Sequence, residues 1–379
     1  MAHPDWDLDP TFLTVNHGSY GATPRSVLAA QRAWQDRLER QPSRFFNTEL
    51  PLLLRKAAED LAGFLNAGAD DVVFVDNATT GCNAVLRSLA LKPGDDVVLL
   101  SHAYGAIRNT VRYVTEQSGA RIAEARIPFP GPTPEAVTDA VAAALTPATR
   151  IAVIDHITSG SALVIPVKQI VELCHRAGVP VLIDGAHGPG QVDLDVSDIG
   201  ADWYVGNCHK WLCAPKGCGF LHALRHDGIH PTVISHGYGK GLLAEFDWTG
   251  TTDSSRFLAV TDAIAFHQRL GGAKLRQRNK DLAAEGAAWV ARRLNTDVGA
   301  PADISGKMAG AMATVRLPVA DTSATNALAI RDALMKAGTD APVHALDGAL
   351  WLRLSAFAYN DMDDYRRLAE LTAQVLAAR

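Results

Sequence analysis

From about residue 20 to 225, short apolar runs alternate with amphipathic stretches. DVVFVDN, DDVVLLS, RIAVIDHI, VPVLIDGAH, ADWYVGNC and GCGFLHA are β-branched or aromatic-rich and too short for buried helices, so each predicts a strand. Helix-like stretches such as PTPEAVTDAVAAAL and PVKQIVELCHRAG separate most of them. Ahead of the first strand, Val27, Leu28, Trp34 and Leu38 fall at helical spacing after Thr23-Pro24, a good N-cap and first-turn pair. A second helix is expected over about 50–66. Near-continuous apolar strands interleaved with helices predict a three-layer α/β/α fold around a mostly parallel sheet.

Around 226–256 the pattern turns rich in Gly, His and Thr and reads as loops. Beyond it come a long helix over about 257–294, strand AMATVRLP, helix TSATNALAIRDALMKAG, strand ALWLRLSA and a last helix opening near Asp361. The expected organisation is a segment over 1–20 packing with the smaller domain, a large domain over 21–256, and a smaller α+β C-terminal domain over 257–379.

Composition narrows the class without naming a function. A net charge of −5 gives no basic footprint for nucleic acid. No apolar run approaches the roughly 18 residues that a membrane span needs. The opening MAHPDWDLDP is acidic and Pro-containing, unlike a signal or transit peptide. Five sparse cysteines suit a reducing compartment, so a cytoplasmic protein is expected.

Ligands of α/β sheets sit at the carboxyl ends of the strands, and the polar residues there carry the candidate chemistry. Ala78-Thr79-Thr80-Gly81 opens a helix after DVVFVDN, as a plain N-cap or as an anion site. Asp184 ends VPVLID with His187 three residues on, and suits a metal, a ribose or a protonated ring nitrogen. Asn207, His209 and Lys210 end another strand. A lysine beside a histidine in an apolar stretch is a poor surface charge, and burial frees its amine for Schiff-base chemistry. Cys208, Cys213 and Cys218 lack the two-residue knuckle of a structural zinc site, so small buried cysteines and no metal are expected. In LWLRLSA, alternation puts Leu350, Leu352 and Leu354 on one face and Trp351, Arg353 and Ser355 on the other. Arg353 is either paired structurally or aimed at a carboxylate.

FLTVNHGSYGATP, QPSRFF, DNATTGCNAVLRSLAL, SHAYGAIRNTV, DHITSG, LIDGAHGPGQ, GNCHKWLCAPKG, WTGTTD and LRLSAFAYND occur in this order along nearly the whole chain. Together they resemble the fold type I pyridoxal-phosphate enzymes of the class V aminotransferase group, and within it the isopenicillin N epimerase-like branch. The resemblance implies that Lys210 holds pyridoxal 5′-phosphate and moves the α-proton. Asp184 would pair with the pyridine nitrogen, His187 with the phenolic oxygen, and Tyr104 would lie over the ring. Thr79, Thr80 and His209 would bind the phosphate with help from Asn207, and Thr251 would reach the neighbour's phosphate across a homodimer. Arg353 would bind the carboxylate of an amino-acid substrate, with Asn16, His17 and Tyr20 edging its pocket.

The resemblance puts epimerase or racemase chemistry first, β-elimination by a carbon–sulfur lyase second and transamination third. Epimerisation needs a second acid/base group, for which Tyr104 or His102 is the candidate. MKAGTDAPVHALDGALWLR holds no cysteine where desulfurases of the group carry their nucleophile, which argues against persulfide formation. A non-catalytic phospholigand-binding protein and a zinc-dependent hydrolase are the rival readings.

Overall fold

The computed structural model describes residues 4–301 and 306–379. Seven strands form the main sheet: β1 (Val72–Val75), β2 (Asp96–Leu100), β3 (Arg121–Ala125), β4 (Thr149–Asp155), β5 (Val181–Gly185), β6 (Trp203–Asn207) and β7 (Gly219–Ala223). Their order is β1-β7-β6-β5-β4-β2-β3, and only the pairings of β7 are antiparallel. Alternate residues of each strand enter separate cores on the two faces. Phe74, Val98, Ile154, Ile183 and Phe220 pack into one, whereas Val73, Val97, Val153, Leu182 and Leu221 pack into the other. Burial on both faces accounts for apolar runs that lack a period of two.

The six strands expected from these runs all form. β3 was not expected, because RIAEA is an edge strand and only Ala125 is buried. Its Arg121 instead bonds outward to Asp96 (3.0 Å).

A second sheet, β8 (Met312–Arg316), β10 (Ala349–Ser355) and β9 (Val343–Leu346), is antiparallel, with β10 central. Leu350, Leu352 and Leu354 share a core with Leu13 and Val15 of the N-terminal segment and with helices Ala273–Leu294 and Met362–Ala377. Asp361 starts the latter helix with a reciprocal capping box to Asp364.

Two local expectations change. The single helix over 257–294 is three helices, Ser255–Leu258, Val260–Arg269 and Ala273–Leu294, broken last at Gly271-Gly272, where φ is 111° and 51°. The first two pack against helices Arg25–Arg40 and Leu50–Leu65 rather than against the small sheet. Thr23 caps no helix. Its hydroxyl donates to the Ala214 carbonyl (3.1 Å), tying the chain start to the loop beyond Lys210.

Candidate active site

The carboxyl ends of β1, β4, β5 and β6 and the loop after β2 open onto one cavity of about 470 Å³. Its lining includes Asn77, Thr79, Thr80, Tyr104, Asp155, Asp184, His187, Asn207, His209 and Lys210. Eight of the expected site residues are therefore brought together by the crossover connections that deliver parallel strands side by side.

Lys210 lies 3.2 Å from His187 Nε2. The indole N–H of Trp211 donates to His187 Nδ1 (3.2 Å), so the neutral ring carries its proton on Nε2, facing the lysine. Burial and the neighbouring Lys210 and Arg353 hold His187 neutral, well below the usual histidine range. A donor facing Lys210 suits an uncharged, accepting amine. Burial lowers the Lys210 pKa to about 8 against the pull of Asp184, with Arg353 adding to the depression. In the cofactor-free protein, acylation of Lys210 followed by peptide mapping is expected to reach half its maximal rate near pH 8. Surface lysines go on gaining reactivity to about pH 10. A Lys210 profile that coincides with theirs would remove it as the activated amine.

Asp184 is 4% exposed, accepts the Ala186 amide (3.0 Å) and is raised by burial, partly offset by Lys210. At the opposite end, helix Ala78–Ser88 points its start at the cavity. Asn77 caps it by accepting the Thr80 amide (2.9 Å), and Asn207 accepts the Ala78 amide (2.8 Å). Asn207 thus fixes the helix start and lines the cavity at once. The Thr79 and Thr80 side chains stand at a terminus whose dipole favours an anion. His209 donates Nδ1–H to the Cys218 carbonyl (3.0 Å), and burial holds its pKa near 4.

Arg353 is 2% exposed, and burial lowers its pKa to about 10. Its guanidinium donates to Ser159 O (2.7 Å), Asn16 Oδ1 (2.7 Å) and Ser19 Oγ (2.8 Å), all neutral acceptors, while Nε has no partner. A buried guanidinium held by neutral groups is suited to an anionic ligand. Ser19 and Ser159 line the cavity, so Arg353 adjoins it through them.

The other expected residues are placed differently. His17 is buried, stacks on Phe357 at 3.7 Å and bonds Tyr359 Oη and Lys210 O (2.9 and 3.1 Å). It braces the lysine backbone, and it does not line the cavity. Tyr20 is 74% exposed and also lies outside the lining. His102 bonds Ser161 Oγ (2.9 Å) and Asp347 Oδ2 (3.1 Å) away from the cavity, which leaves Tyr104 as the nearer acid/base candidate. Thr251 lines a separate cavity of about 260 Å³ that shares Thr80 with the first.

Sequence reading assigned no role to Asp155, Asn77, Ser159 or Trp211, whereas Ser19 lies in the stretch from Asn16 to Tyr20 expected to edge the pocket. Asp155 closes an apolar strand just as Asp184 does, and that signal was available. The partners of Arg353 depend on contacts between residues 194 to 337 positions apart and left no local trace.

The donor set fits pyridoxal 5′-phosphate. An amine of lowered pKa, a buried carboxylate without an ion pair among the described residues, a tautomer-fixed imidazole N–H and a helix start match its aldehyde, ring nitrogen, phenolic oxygen and phosphate. Among the described residues no cysteine lines the cavity, and no helix is long and apolar enough to cross a membrane.

A model described as aminotransferase class-V matches residues 23–368. A probable L-cysteine desulfhydrase, chloroplastic, of Arabidopsis thaliana is 35% identical, with 96% of this chain and 82% of the relative covered. An isopenicillin N epimerase of Amycolatopsis lactamdurans is 33% identical, with 96% and 95% covered. Among solved structures, the cystine C–S lyase C-DES in complex with its product cysteine persulfide superimposes with a TM-score of 0.80 at 21% identity. That alignment covers 96% of this chain and 98% of C-DES and is a likeness of fold.

Proposed function

We propose, since the chain belongs to the aminotransferase class-V family, that it is a pyridoxal 5′-phosphate-dependent enzyme that breaks the Cβ–S bond of a cysteine-type amino acid. One observation carries the choice among reactions at Cα. Among the described residues Lys210 is the one amine that lines the cavity, and β-elimination needs only one strong base. The relatives named L-cysteine desulfhydrase support the same reading.

When bound, pyridoxal 5′-phosphate supplies an electron sink that lets a proton leave Cα. Lys210 takes that proton, its lowered pKa placing a neutral amine within reach near neutrality. His187 presents Nε2–H on the same side, and Asp184 holds negative charge at the cavity floor. The electron pair from Cα forms the Cα–Cβ double bond as sulfur departs, and the proton on Lys210 returns to the thiolate. With water, the remaining fragment yields pyruvate and ammonia.

Arg353 anchors the substrate carboxylate. For Arg353→Ala, KM for a carboxylate substrate is expected to rise about 100-fold, the value of a strong charged hydrogen bond. The corresponding amine lacking the carboxylate should show no such rise, and equal effects on both would make Arg353 purely structural. A homodimer belongs to the same proposal, because Thr251 lies outside its own chain's cavity.

A second reading, epimerisation, rests on Tyr104, whose phenol lines the cavity as a proton-bearing group besides Lys210. Relatives named isopenicillin N epimerase align over nearly the whole chain at 31–33% identity. Proton NMR in heavy water, with L-amino acids and cysteine S-conjugates, separates the two. Pyruvate and a freed thiol support the lyase. Loss of the α-proton signal from an intact, stereochemically scrambled amino acid supports the epimerase.

A further inference from the structure

The cavity floor holds two carboxyl groups where the chemistry described above uses one. Asp155 and Asp184 are register partners on the adjacent parallel strands β4 and β5. Each is 4% exposed, and both line the cavity. Asp155 accepts the Tyr104 N–H (3.1 Å), and Asp184 accepts the Ala186 N–H (3.0 Å). The nearby cations are committed elsewhere. Arg108 binds Glu124 (2.9 Å) and the carbonyls of Leu100 and Ser101, and Lys210 meets His187. Two buried carboxylates this poorly compensated do not both ionise.

We infer that Asp155 works as an uncharged acid beside an ionised Asp184, so that the floor presents one negative charge and one O–H donor. The inference rests on the reading that this cavity holds pyridoxal 5′-phosphate. Asp184 keeps the charge because Lys210, a cation below its pKa of about 8, lies on its side. Asp155 faces Asp184 from β5, Tyr104 and Arg108 from the start of helix Gly105–Ser118, and the buried Cys82 thiol from helix Ala78–Ser88. Only Arg108 among these is cationic, and burial with Asp184 outweighs it, driving the Asp155 carboxyl well above the usual range. Because Oδ1 accepts the Tyr104 amide, the proton sits on Oδ2. Asp155 is thus a positioning residue. It holds the Tyr104 backbone at the cavity edge without adding a second charge to the cavity.

Isotope-edited infrared spectra of the cofactor-free protein and pyridoxal 5′-phosphate affinity as a function of pH test this together. Wild type is expected to show a protonated aspartic acid at neutral pH that Asp155→Asn removes. Asp155→Ala, which loses the tie to Tyr104, is expected to bind the cofactor about tenfold more weakly, the worth of one buried hydrogen bond. Asp155→Asn keeps that tie and cannot ionise. It should recover most of the affinity and extend binding to higher pH than in wild type. The absence of any protonated aspartic acid, or an Asp155→Asn defect as large as that of Asp155→Ala, overturns the inference. A wild-type protein that fails to bind pyridoxal 5′-phosphate would sink the cofactor reading instead, while the infrared band still decides the state of the pair.

Discussion

Lys210→Ala is expected to abolish turnover, with a loss on the order of 10⁴-fold or more, the upper range for removing a positioned proton-transfer group. The loss has two parts. On the proposed function, the variant lacks the amine that would capture the cofactor aldehyde and the base that would take the Cα proton. Borohydride treatment of the wild-type holoenzyme should fix the cofactor to the peptide containing Lys210, and the variant should yield no such peptide. Added methylamine should restore a small part of the turnover by supplying an amine without its positioning. The neighbours of Lys210 make a purely structural explanation testable. The His17 ring bonds the Lys210 carbonyl, and a Cβ on Gly21 would collide with the His209 and Lys210 carbonyls, so the backbone here is held independently of the Lys210 side chain. Truncating the side chain should therefore leave the melting temperature near that of wild type. A variant that kept normal turnover would remove the assignment of the whole site.

Most of the architecture was legible because buried parallel strands advertise themselves. DVVLL and VLIDG are apolar on both faces, and each ends in the polar residues that the sheet collects at one edge. The features that escaped have physical reasons. β3 buries only Ala125 because it lies at the edge, and β9 has four residues, of which only Val343 is buried. The Gly271-Gly272 break was visible in RLGGAK, but the helical period on either side outweighed it. At the site, Lys210, Asp184, His187 and the helix start at Thr79 stand on strand ends whose positions follow from the fold class. Tyr104 does too. Arg353 was read as facing away from the leucines, as it does. What it would bond there depended on how the N-terminal segment folds back across the molecule, and no local pattern encodes that. His102 lies outside the cavity lining, and its spacing to Tyr104 says nothing of the Asp347 hairpin it bonds (3.1 Å).

Asp184→Asn is expected to lower α-proton exchange by roughly three orders of magnitude, since breaking a buried charge pair by removing one partner costs about 3–5 kcal/mol. The amide preserves size and still accepts the Ala186 N–H, so packing around β5 should survive and far-ultraviolet dichroism should match wild type. On the proposed function, what the variant lacks is the negative charge that would face the ring nitrogen and keep it protonated. Cofactor affinity should fall alongside exchange, because the same charge serves both. The paired Asp155 makes the outcome sharper. With Asp184 neutral, the coulombic barrier to ionising Asp155 disappears, and its pKa should fall, although burial, the larger cause, still holds it above the ordinary carboxylate range. Raising the pH on Asp184→Asn should then recover part of the lost affinity as Asp155 takes up the charge, whereas wild type gains nothing from the same change. Exchange at the wild-type rate would exclude Asp184 from the cofactor's support. Affinity that stayed low at every pH would mean that only the position of Asp184, and not its charge alone, satisfies the ring nitrogen.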